Sequence, residues 1–222
     1  WMWKRYAGFD AVTYKGNSSS DSSGASQLIP HNLGRAPEMI WTKGRDGGSG
    51  YWGVYHKGLN GGTNPWNYRL LLNETNAQSD GGGSYTTWYW GDTAPTATHF
   101  TVGEISNSNA NNTNFIAMLF ASVDGISKVG SYVGQGSDLT VEFGFSPRFL
   151  MVKRIDSTGD WNVFDTTRGL VSGADKELRL NNTSAQSDHE VGDITSTGFT
   201  FACGGSHDTC SAGGTWIYYA HA

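Results

Sequence analysis

Residues 70–80 read Leu-Leu-Leu-Asn-Glu-Thr-Asn-Ala-Gln-Ser-Asp, and residues 178–188 read Leu-Arg-Leu-Asn-Asn-Thr-Ser-Ala-Gln-Ser-Asp. The two segments are identical at eight of their eleven positions, which is very unlikely by chance. Repetition at a fixed spacing indicates how a chain divides into structural units. The spacing of roughly 100–110 residues is domain-sized, unlike the shorter repeats of a solenoid. The sequence therefore predicts two tandem copies of one module.

Other blocks of the two copies match in the same order along the chain. The matching pairs are residues 13–16 with 131–134, 37–46 with 147–156, 52–55 with 161–164, 57–59 with 168–170, 100–101 with 199–200, and 114–121 with 215–222. We predict one module over residues 12–123 and a second over residues 124–222. Residues 1–11 are predicted to be the last strand and linker of a preceding repeat, because they resemble the junction between the two copies. On this interpretation the chain is part of a longer array.

The local pattern predicts strands. Gly or Pro interrupts nearly every 10–15 residues, which breaks long helices but suits turns. Residues 114–123 could form a helix on composition alone, but their copy, Thr215-Trp-Ile-Tyr-Tyr219, is aromatic and β-branched and favours a strand. We therefore predict an all-β fold of two tandem antiparallel β-sandwich repeats, jelly-roll or lectin-like, with about seven strands each. The clearest predicted strands are Val12–Lys15, Met39–Lys43, Tyr51–His56, Phe100–Val102, Leu139–Phe143, Phe149–Lys153 and Phe199–Ala202.

Composition excludes several classes of protein. The 222 residues include 15 Lys and Arg against 20 Asp and Glu, a formal net charge of −5, without basic clusters. Nucleic-acid binding needs basic side chains for phosphate contacts, so no nucleic-acid partner is expected. The longest apolar run, Phe115–Ala121, is far shorter than the ~20 residues that span a bilayer, so no membrane insertion is expected. Nine Trp residues exclude a disordered polar chain.

No catalytic pattern is present in the sequence. Glycoside hydrolysis needs two carboxylates that face each other, yet the predicted strand carboxylates Glu38 and Glu142 are isolated. The carboxylates at predicted turns recur in both copies, as expected of Asp residues that hydrogen-bond local backbone. Nucleophile-elbow, zinc-helix and phosphate-loop motifs are missing. We expect no enzyme, no catalytic residue and no cofactor. The turn carboxylates are Asp46 with Asp156 and Asp80 with Asp188.

The two cysteines, Cys203 and Cys210, leave three alternatives open. They can form a disulfide across a hairpin loop, remain free thiols, or bind zinc together with His207 and Asp208. The first copy has no ligand set in the corresponding segment. A local disulfide is therefore favoured, and no metal site is predicted.

Surplus aromatic residues are the main candidate for a functional site. Two segments rich in Trp and Tyr, residues 66–68 and 85–90, are shortened or missing in the second copy, so they cannot all belong to a shared core. Aromatic rings on loops often mark partner or ligand sites. The alternatives are packing at a module or subunit interface, contact with a ligand such as a glycan, and local core. The candidate residues are Trp66, Tyr68, Tyr85, Trp88, Tyr89 and Trp90.

Several motifs together resemble a repeated module of virion proteins from tailed bacteriophages, especially marine and cyanobacterial phages. The resemblance covers essentially the whole chain. Such modules are tail-fibre-like or of unknown function, so the resemblance implies a virion structural or host-recognition role and supplies no catalytic residues. Cys203 and Cys210 are not features of that module. The motifs are Val12–Gly16, His31–Asp46, Trp52–Thr63, Leu70–Thr75, Lys128–Gly136, Lys153–Trp161 and Phe164–Gly169.

These observations predict part of a phage tail fibre or similar appendage on the exterior of the virion, where it contributes to attachment to a host-surface glycan. The expected partners are copies of the chain itself or other virion proteins, with host-surface polysaccharide as the candidate ligand. Fibres are commonly homo-oligomers, because multivalent attachment turns weak contacts into avidity. The alternatives are a spacer or capsid-decoration module without a ligand and, less favoured, a glycan depolymerase.

Overall fold

The computed structural model describes residues 4–5, 7–18, 26–47, 50–80, 87–171, 173–204 and 209–222, with residues 87 and 88 described for the backbone alone. Strands make up 43% of the structure and helices 7%, so the predicted all-β fold class is confirmed. The pairings between the named strands are all antiparallel. The chain divides into two compact units: unit 1 comprises residues 1–72 and 78–121, and unit 2 comprises residues 73–77 and 122–222.

Unit 1 contains a five-stranded sheet in the order β1-β7-β3-β4-β5 and a two-stranded sheet, β2-β6. Two 3₁₀ turns, Leu59–Gly62 and Pro65–Asn67, connect β4 to β5. The strands and short helices are β1 (Phe9–Lys15), β2 (Gln27–Pro30), β3 (Met39–Gly44), β4 (Gly53–His56), β5 (Leu70–Leu71), α1 (Thr87–Trp90), β6 (His99–Val102), α2 (Ser106–Asn109) and β7 (Asn114–Phe120).

Unit 2 contains a six-stranded sheet in the order β13-β12-β11-β10-β16-β8 and a three-stranded sheet, β14-β15-β9. Its described part holds nine strands, two more than unit 1, because β13 and β14 have no named counterpart there. The strands are β8 (Ser127–Val133), β9 (Leu139–Glu142), β10 (Phe149–Arg154), β11 (Trp161–Asp165), β12 (Asp175–Arg179), β13 (Ser187–His189), β14 (Gly192–Ile194), β15 (Gly198–Phe201) and β16 (Thr215–His221).

Apart from β13 and β14, the strand orders of the two units correspond. The first strand of each unit pairs with the last, β1 with β7 and β8 with β16, and the remaining strands of the large sheet follow in the same sequence. Leu70 lies opposite Val54 in unit 1, and Leu178 lies opposite Val163 in unit 2. The register therefore aligns Leu70 with Leu178, as the sequence comparison does.

The start of the first module differs from the prediction. Residues 9–11 are not a linker, since β1 begins at Phe9, which pairs with Phe120. Cross-strand pairing with β7 starts the first strand three residues before its predicted start at Val12. The helical alternative for residues 114–123 is wrong, because β7 exchanges backbone hydrogen bonds with β1 on one side and β3 on the other.

In each unit, residues of both sheets pack together in a shared apolar cluster. In unit 1 the small sheet contributes Ile29 and Phe100, which cluster with Ile40 and Leu119 of the large sheet. In unit 2 the corresponding cluster contains residues of β15, β10 and β16. Two antiparallel sheets around one core are the arrangement of a β-sandwich.

The motif Tyr-x-Gly at the end of the first strand has the same role in both units. The hydroxyl of Tyr14 donates to the Ser108 carbonyl at 2.6 Å, and the hydroxyl of Tyr132 donates to the Thr209 carbonyl at 2.9 Å. Two residues later the chain passes so close to the same segment that a Cβ would clash with a carbonyl oxygen. That Cβ would lie 2.1 Å from Ala110 O at Gly16 and 2.3 Å from Ser211 O at Gly134. Only glycine fits such an approach.

Candidate functional site

The aromatic candidates fall into three groups. Tyr89 and Trp90 lie in α1 and are buried, with 5% and 2% exposure. Trp66 and Tyr68 lie in and just after the second 3₁₀ turn and remain partly exposed. Tyr85 and the side chain of Trp88 lie outside the described residues.

The buried rings correct part of the sequence interpretation. Tyr89 and Trp90 belong to the core cluster of unit 1, so they are local core and not ligand-facing or interface residues. Trp90 packs edge-on against Tyr55, with ring centroids 5.8 Å apart, and its indole Nε1 donates to the Tyr68 carbonyl at 3.1 Å. Space for α1 exists because β4 carries Gly53, whose added Cβ would lie 3.2 Å from the Tyr89 ring. The burial of the Tyr89 ring could not be predicted from the sequence of residues 85–90 alone, because it depends on a glycine in a distant strand.

We define the 66–69 patch as Trp66, Asn67, Tyr68 and Arg69. Trp66 packs on one side against the core cluster, and the guanidinium of Arg69 lies 4.6 Å from the centroid of the Tyr89 ring. Asn67 Oδ1 and Arg69 Nε are buried and have no hydrogen-bond partner among the described residues. The patch therefore combines two partly exposed rings with an acceptor and a donor.

The loop before the patch follows from its Asn and Gly content. Asn60, Gly61, Gly62 and Asn64 all have positive φ, between 45° and 83°, and these are the residue types that tolerate left-handed backbone. Asn60 Nδ2 donates to the Thr63 carbonyl at 2.7 Å, which closes the loop locally. These turns hold the start of the patch in one conformation.

Four of the carboxylates that the sequence analysis examined either accept backbone hydrogen bonds or pair with lysines. Asp46 Oδ1 accepts the Asn114 amide at 2.8 Å, and Asp156 Oδ1 accepts the equivalent Thr215 amide at 2.9 Å, so each turn Asp anchors the start of the last strand of its unit. The remaining contacts are those of Glu38 with Lys57 and of Asp188 with Lys176, both at 2.6 Å, while Glu142 is exposed on β9.

These bonds shift the acidities of the two turn carboxyls. Hydrogen bonds from the side chain and amide of Asn114 hold the pKa of Asp46 below its ordinary value. Burial opposes the same shift at Asp156, but hydrogen bonds from Arg154 and from the Thr215 amide still lower its pKa. Both groups are therefore stabilised as structural anions.

Of the three alternatives for the cysteines, the structure contains the disulfide. Cys203 and Cys210 are bonded, with their Cα atoms 5.6 Å apart. His207 and Asp208, the other residues of the zinc alternative, lie outside the described residues. Within the described part of the chain, no group of three or more His, Cys, Asp or Glu side chains could hold a metal ion.

Unit 2 contains a cluster of polar side chains that the sequence reasoning missed. We define the 160–179 cluster as Asp160, Asn162, Glu177 and Arg179. Arg179 Nε donates to Glu177 Oε1 at 2.5 Å, and Arg179 Nη1 lies 3.1 Å from Asp160 Oδ2. Glu177 is fully buried and Asn162 is 7% exposed. The sequence does contain a signal for this cluster, because Glu177 and Arg179 flank Leu178 in β12, whereas the copy of this segment in unit 1 is apolar at Leu71.

A buried lysine was missed as well. Lys153 is fully buried, and its Nζ donates to the backbone carbonyls of Arg154 at 2.7 Å and Thr75 at 3.2 Å. Burial lowers the pKa of Lys153 to about 8. Among the described residues no ion pair involves its ammonium, so backbone carbonyls alone hydrogen-bond this charge.

Comparison with known proteins identifies a family. A model described as a domain of unknown function (DUF7483) matches residues 4–222, whereas no curated protein and no solved structure matches the chain. Within the described residues, no helix is long and apolar enough to cross a membrane. The family match includes both units, so the pair of units lies within a single family domain. The chain belongs to the DUF7483 family, a domain of unknown function.

Proposed function

We propose that the chain is a structural module of a phage tail fibre or similar exposed virion appendage, and that its 66–69 patch contributes to attachment to a host-surface glycan. The virion assignment is supported by the sequence resemblance. The attachment role is supported by one structural observation: two partly exposed rings, Trp66 and Tyr68, lie beside a floor of buried rings.

The arrangement suits a sugar ring. A saccharide presents an apolar C–H face and hydroxyl groups, so it needs a ring to stack on and polar groups that fix its orientation. Trp66 is held from below by the core, and the backbone of Tyr68 is held by the Trp90 indole. Little side-chain and backbone freedom is then lost on binding, which favours affinity. Asn67 Oδ1 and Arg69 Nε supply the acceptor and donor beside the rings.

A glycan array of bacterial surface polysaccharides, probed with the whole chain, tests the attachment role. Wild type is expected to bind, and Trp66→Ala is expected to weaken binding by about tenfold or more, the equivalent of about 1.4 kcal/mol. Tyr51→Ala is the matched control, because Tyr51 is an exposed aromatic outside the patch, at 40% exposure. Equal losses in both variants, or no binding to any polysaccharide, would contradict the attachment role.

A spacer without a ligand is the second candidate, and the burial of Tyr89 and Trp90 favours it, because those rings stabilise the fold. Immunogold electron microscopy of particles of the phage that encodes the chain separates the candidates from each other and tests the virion assignment. If antibody labels the appendages but the chain binds no polysaccharide on the glycan array, the chain is a spacer. Unlabelled particles would contradict the virion assignment.

Oligomerisation is part of the proposal, since attachment through weak single contacts depends on avidity. Sedimentation of the chain at micromolar concentration is expected to show a homo-oligomer. A monomer under those conditions would contradict this part and leave the glycan test unaffected.

A further inference from the structure

The 160–179 cluster of unit 2 occupies the place in the sheet that aromatic side chains fill in unit 1. Asn162 is paired directly with Arg179, as Gly53 is paired with Leu71 in unit 1. In unit 1 the ring of Tyr89 packs over Gly53. Within the described part of unit 2 no helix corresponds to α1. The same position in the sheet is therefore occupied by polar side chains in unit 2 and by an aromatic ring in unit 1.

Asn162 has a buried acceptor that the protein does not use. The side chain is 7% exposed, and its Oδ1 has no hydrogen-bond partner among the described residues. Leaving such an acceptor unpaired costs about 1–3 kcal/mol. Directly paired residues on neighbouring strands present their side chains on the same face of a sheet. The Asn162 amide thus lies on the same face as the Arg179 guanidinium.

Arg179 is held in position with donor capacity to spare. Its Nε bonds to Glu177 and its Nη1 to Asp160, whose other carboxylate oxygen accepts Asn181 Nδ2 at 2.6 Å. No described residue accepts a hydrogen bond from Nη2. The side chain keeps 29% exposure, so solvent reaches the cluster at Arg179.

The chemistry of these groups selects the ligand. A carboxylate or phosphate would bond to Arg179 but would be repelled by Asp160 and Glu177, and it could not donate to Asn162 Oδ1. An ammonium group could donate to Asn162 but has no lone pair with which to accept a hydrogen bond from Arg179. A hydroxyl both donates and accepts without carrying a charge, and two neighbouring hydroxyls satisfy both groups at once.

We infer that Asn162 and Arg179, with Asp160 and Glu177 as positioning residues, form a binding site for neighbouring hydroxyl groups of a saccharide. This site lies in unit 2 and does not depend on the 66–69 patch. The inference can therefore be tested separately from the proposed function. It recognises the sugar through hydrogen bonds, whereas the patch would do so through stacking.

Nuclear magnetic resonance of the whole ¹⁵N-labelled chain tests the site directly. The probes are the methyl α-glycosides of glucose, galactose and mannose at up to about 50 mM, a range that detects the millimolar affinities expected of a single sugar. At least one glycoside is expected to shift the Arg179 Nε–H and Asn162 side-chain amide signals. The permethylated glycoside, which has the same ring without hydroxyl donors, is expected to leave them unchanged.

Asn162→Leu is the decisive variant. It removes the unpaired acceptor without breaking the Arg179 ion pairs, so it is expected to fold with unchanged or raised stability. Glycoside affinity, followed at Arg179, is expected to fall about tenfold, the value of one hydrogen bond of about 1.4 kcal/mol. Trp66→Ala is expected to leave the Arg179 shift intact.

Three outcomes would overturn the inference. No shift at Arg179 or Asn162 with any of the three glycosides would mean that the cluster is purely structural. Equal shifts with the permethylated probe would exclude hydroxyl recognition. Unchanged affinity in Asn162→Leu would place the binding elsewhere. Loss of array binding in Trp66→Ala with a silent 160–179 cluster would retain the proposed function and reject this inference alone.

Discussion

The two units differ in the interactions that close one loop. In unit 1 this loop follows β6 and comprises residues 103–109. Its equivalent in unit 2 runs from Cys203 to Cys210. In unit 1, Asn109 Nδ2 donates to the Gly103 carbonyl at 2.8 Å and to Asn17 Oδ1 at 3.0 Å. In unit 2, the Cys203–Cys210 disulfide closes the loop. Both loops receive the hydroxyl of the tyrosine in the Tyr-x-Gly motif. The contact with the first strand is thus common to both units, while the closure differs.

A second difference concerns what lies over the fourth strand. Unit 1 covers Gly53 with the aromatic ring of Tyr89, whereas unit 2 places the Asn162 side chain at the equivalent position. The buried aromatic ring stabilises unit 1 but offers no polar group that could recognise a ligand. The ion pair between the buried Glu177 and the partly exposed Arg179 contributes less to stability, because desolvation of Glu177 offsets its attraction. The same strand arrangement therefore accommodates an apolar side chain at this position in unit 1 and a polar side chain in unit 2.

Removal of the buried Trp90 ring is expected to have the largest effect. Trp90→Ala deletes a 2%-exposed ring and its hydrogen bond to Tyr68, so the free energy of unfolding is expected to fall by about 4 kcal/mol. Urea unfolding measures the loss. Trp66→Ala is the control and should cost far less, since Trp66 is partly exposed. Similar losses for the two variants would contradict the assignment of Trp90 to the core.

Substitution of the motif glycine tests the feature that the units share. Gly16→Ala and Gly134→Ala each force a Cβ against a backbone carbonyl oxygen, and each is expected to cost about 3 kcal/mol. Gly50→Ala is the matched control, because nothing lies within 4 Å of its added Cβ. Thermal unfolding checks all three variants. A large loss in only one unit would show that the two motifs are not equivalent.

The two loop closures can be broken separately. Replacing both cysteines by Ser is expected to cost roughly 2–3 kcal/mol, the loop-entropy value for a ring of this size. Hydrogen exchange followed by mass spectrometry should then show faster exchange in peptides covering residues 203–210 and unchanged exchange in residues 103–109. Asn109→Ala is expected to give the reverse pattern. Exchange that rises in both loops for either variant would rule out independent closure.

The buried Lys153 predicts that the stability of the protein depends on pH. Because burial lowers its pKa from 10.5 to about 8, the unfolded chain binds more protons than the folded chain between these values, so stability rises with pH there. The gain between pH 8 and about pH 9.5 is expected to be about 2 kcal/mol. Urea unfolding at the two pH values should show this rise in wild type and lose it in Lys153→Met.

The equivalent residue in unit 1 supplies the control for this prediction. Lys43 lies opposite Ile116 on the third strand, as Lys153 lies opposite Ile217, but Lys43 is only partly buried. Lys43→Met is therefore expected to retain the alkaline rise in stability. A rise that persists in Lys153→Met would assign it to another group.

The smallest effect is expected at the turn carboxylates. The pKa values of Asp46 and Asp156 are lowered, so each contributes stability that is present above the ordinary Asp value of 3.8 and is lost as pH falls through the folded-state pKa. Asp46→Asn and Asp156→Asn should each make acid unfolding slightly less steep. Acid titrations monitored by near-ultraviolet circular dichroism measure the change. Identical acid transitions in wild type and both variants would contradict these contributions.

Much of the fold could be predicted from local pattern. The copy at residues 215–222 favoured a strand at residues 114–121, where composition alone allowed a helix, and the structure forms β7 there. The start of β1 could not be predicted in the same way, because the partner of Phe9 is Phe120, more than a hundred residues away. Pairing between residues so far apart is set by how the sheet assembles, and the sequence next to Phe9 does not indicate it.

The candidate site shows the same limit. Comparison of the two copies indicated which aromatic residues were surplus, but not which of them would be buried in the core. The ring of Tyr89, for example, packs over Gly53 of β4, a position where a side chain would crowd it. Asn162 and Arg179 come together only because β11 and β12 pair in that register.

The sequence by itself determined the all-β class, the alignment of Leu70 with Leu178, and the recurrence of Tyr-x-Gly in the two copies. Those features depend on residue type and on spacing along the chain. The tertiary structure alone decided which rings are buried, which polar atoms are left without a partner, and that Lys153 is held by carbonyl groups. Burial and hydrogen bonding across a sheet join residues distant in sequence, so their outcome depends on packing rather than on local propensity.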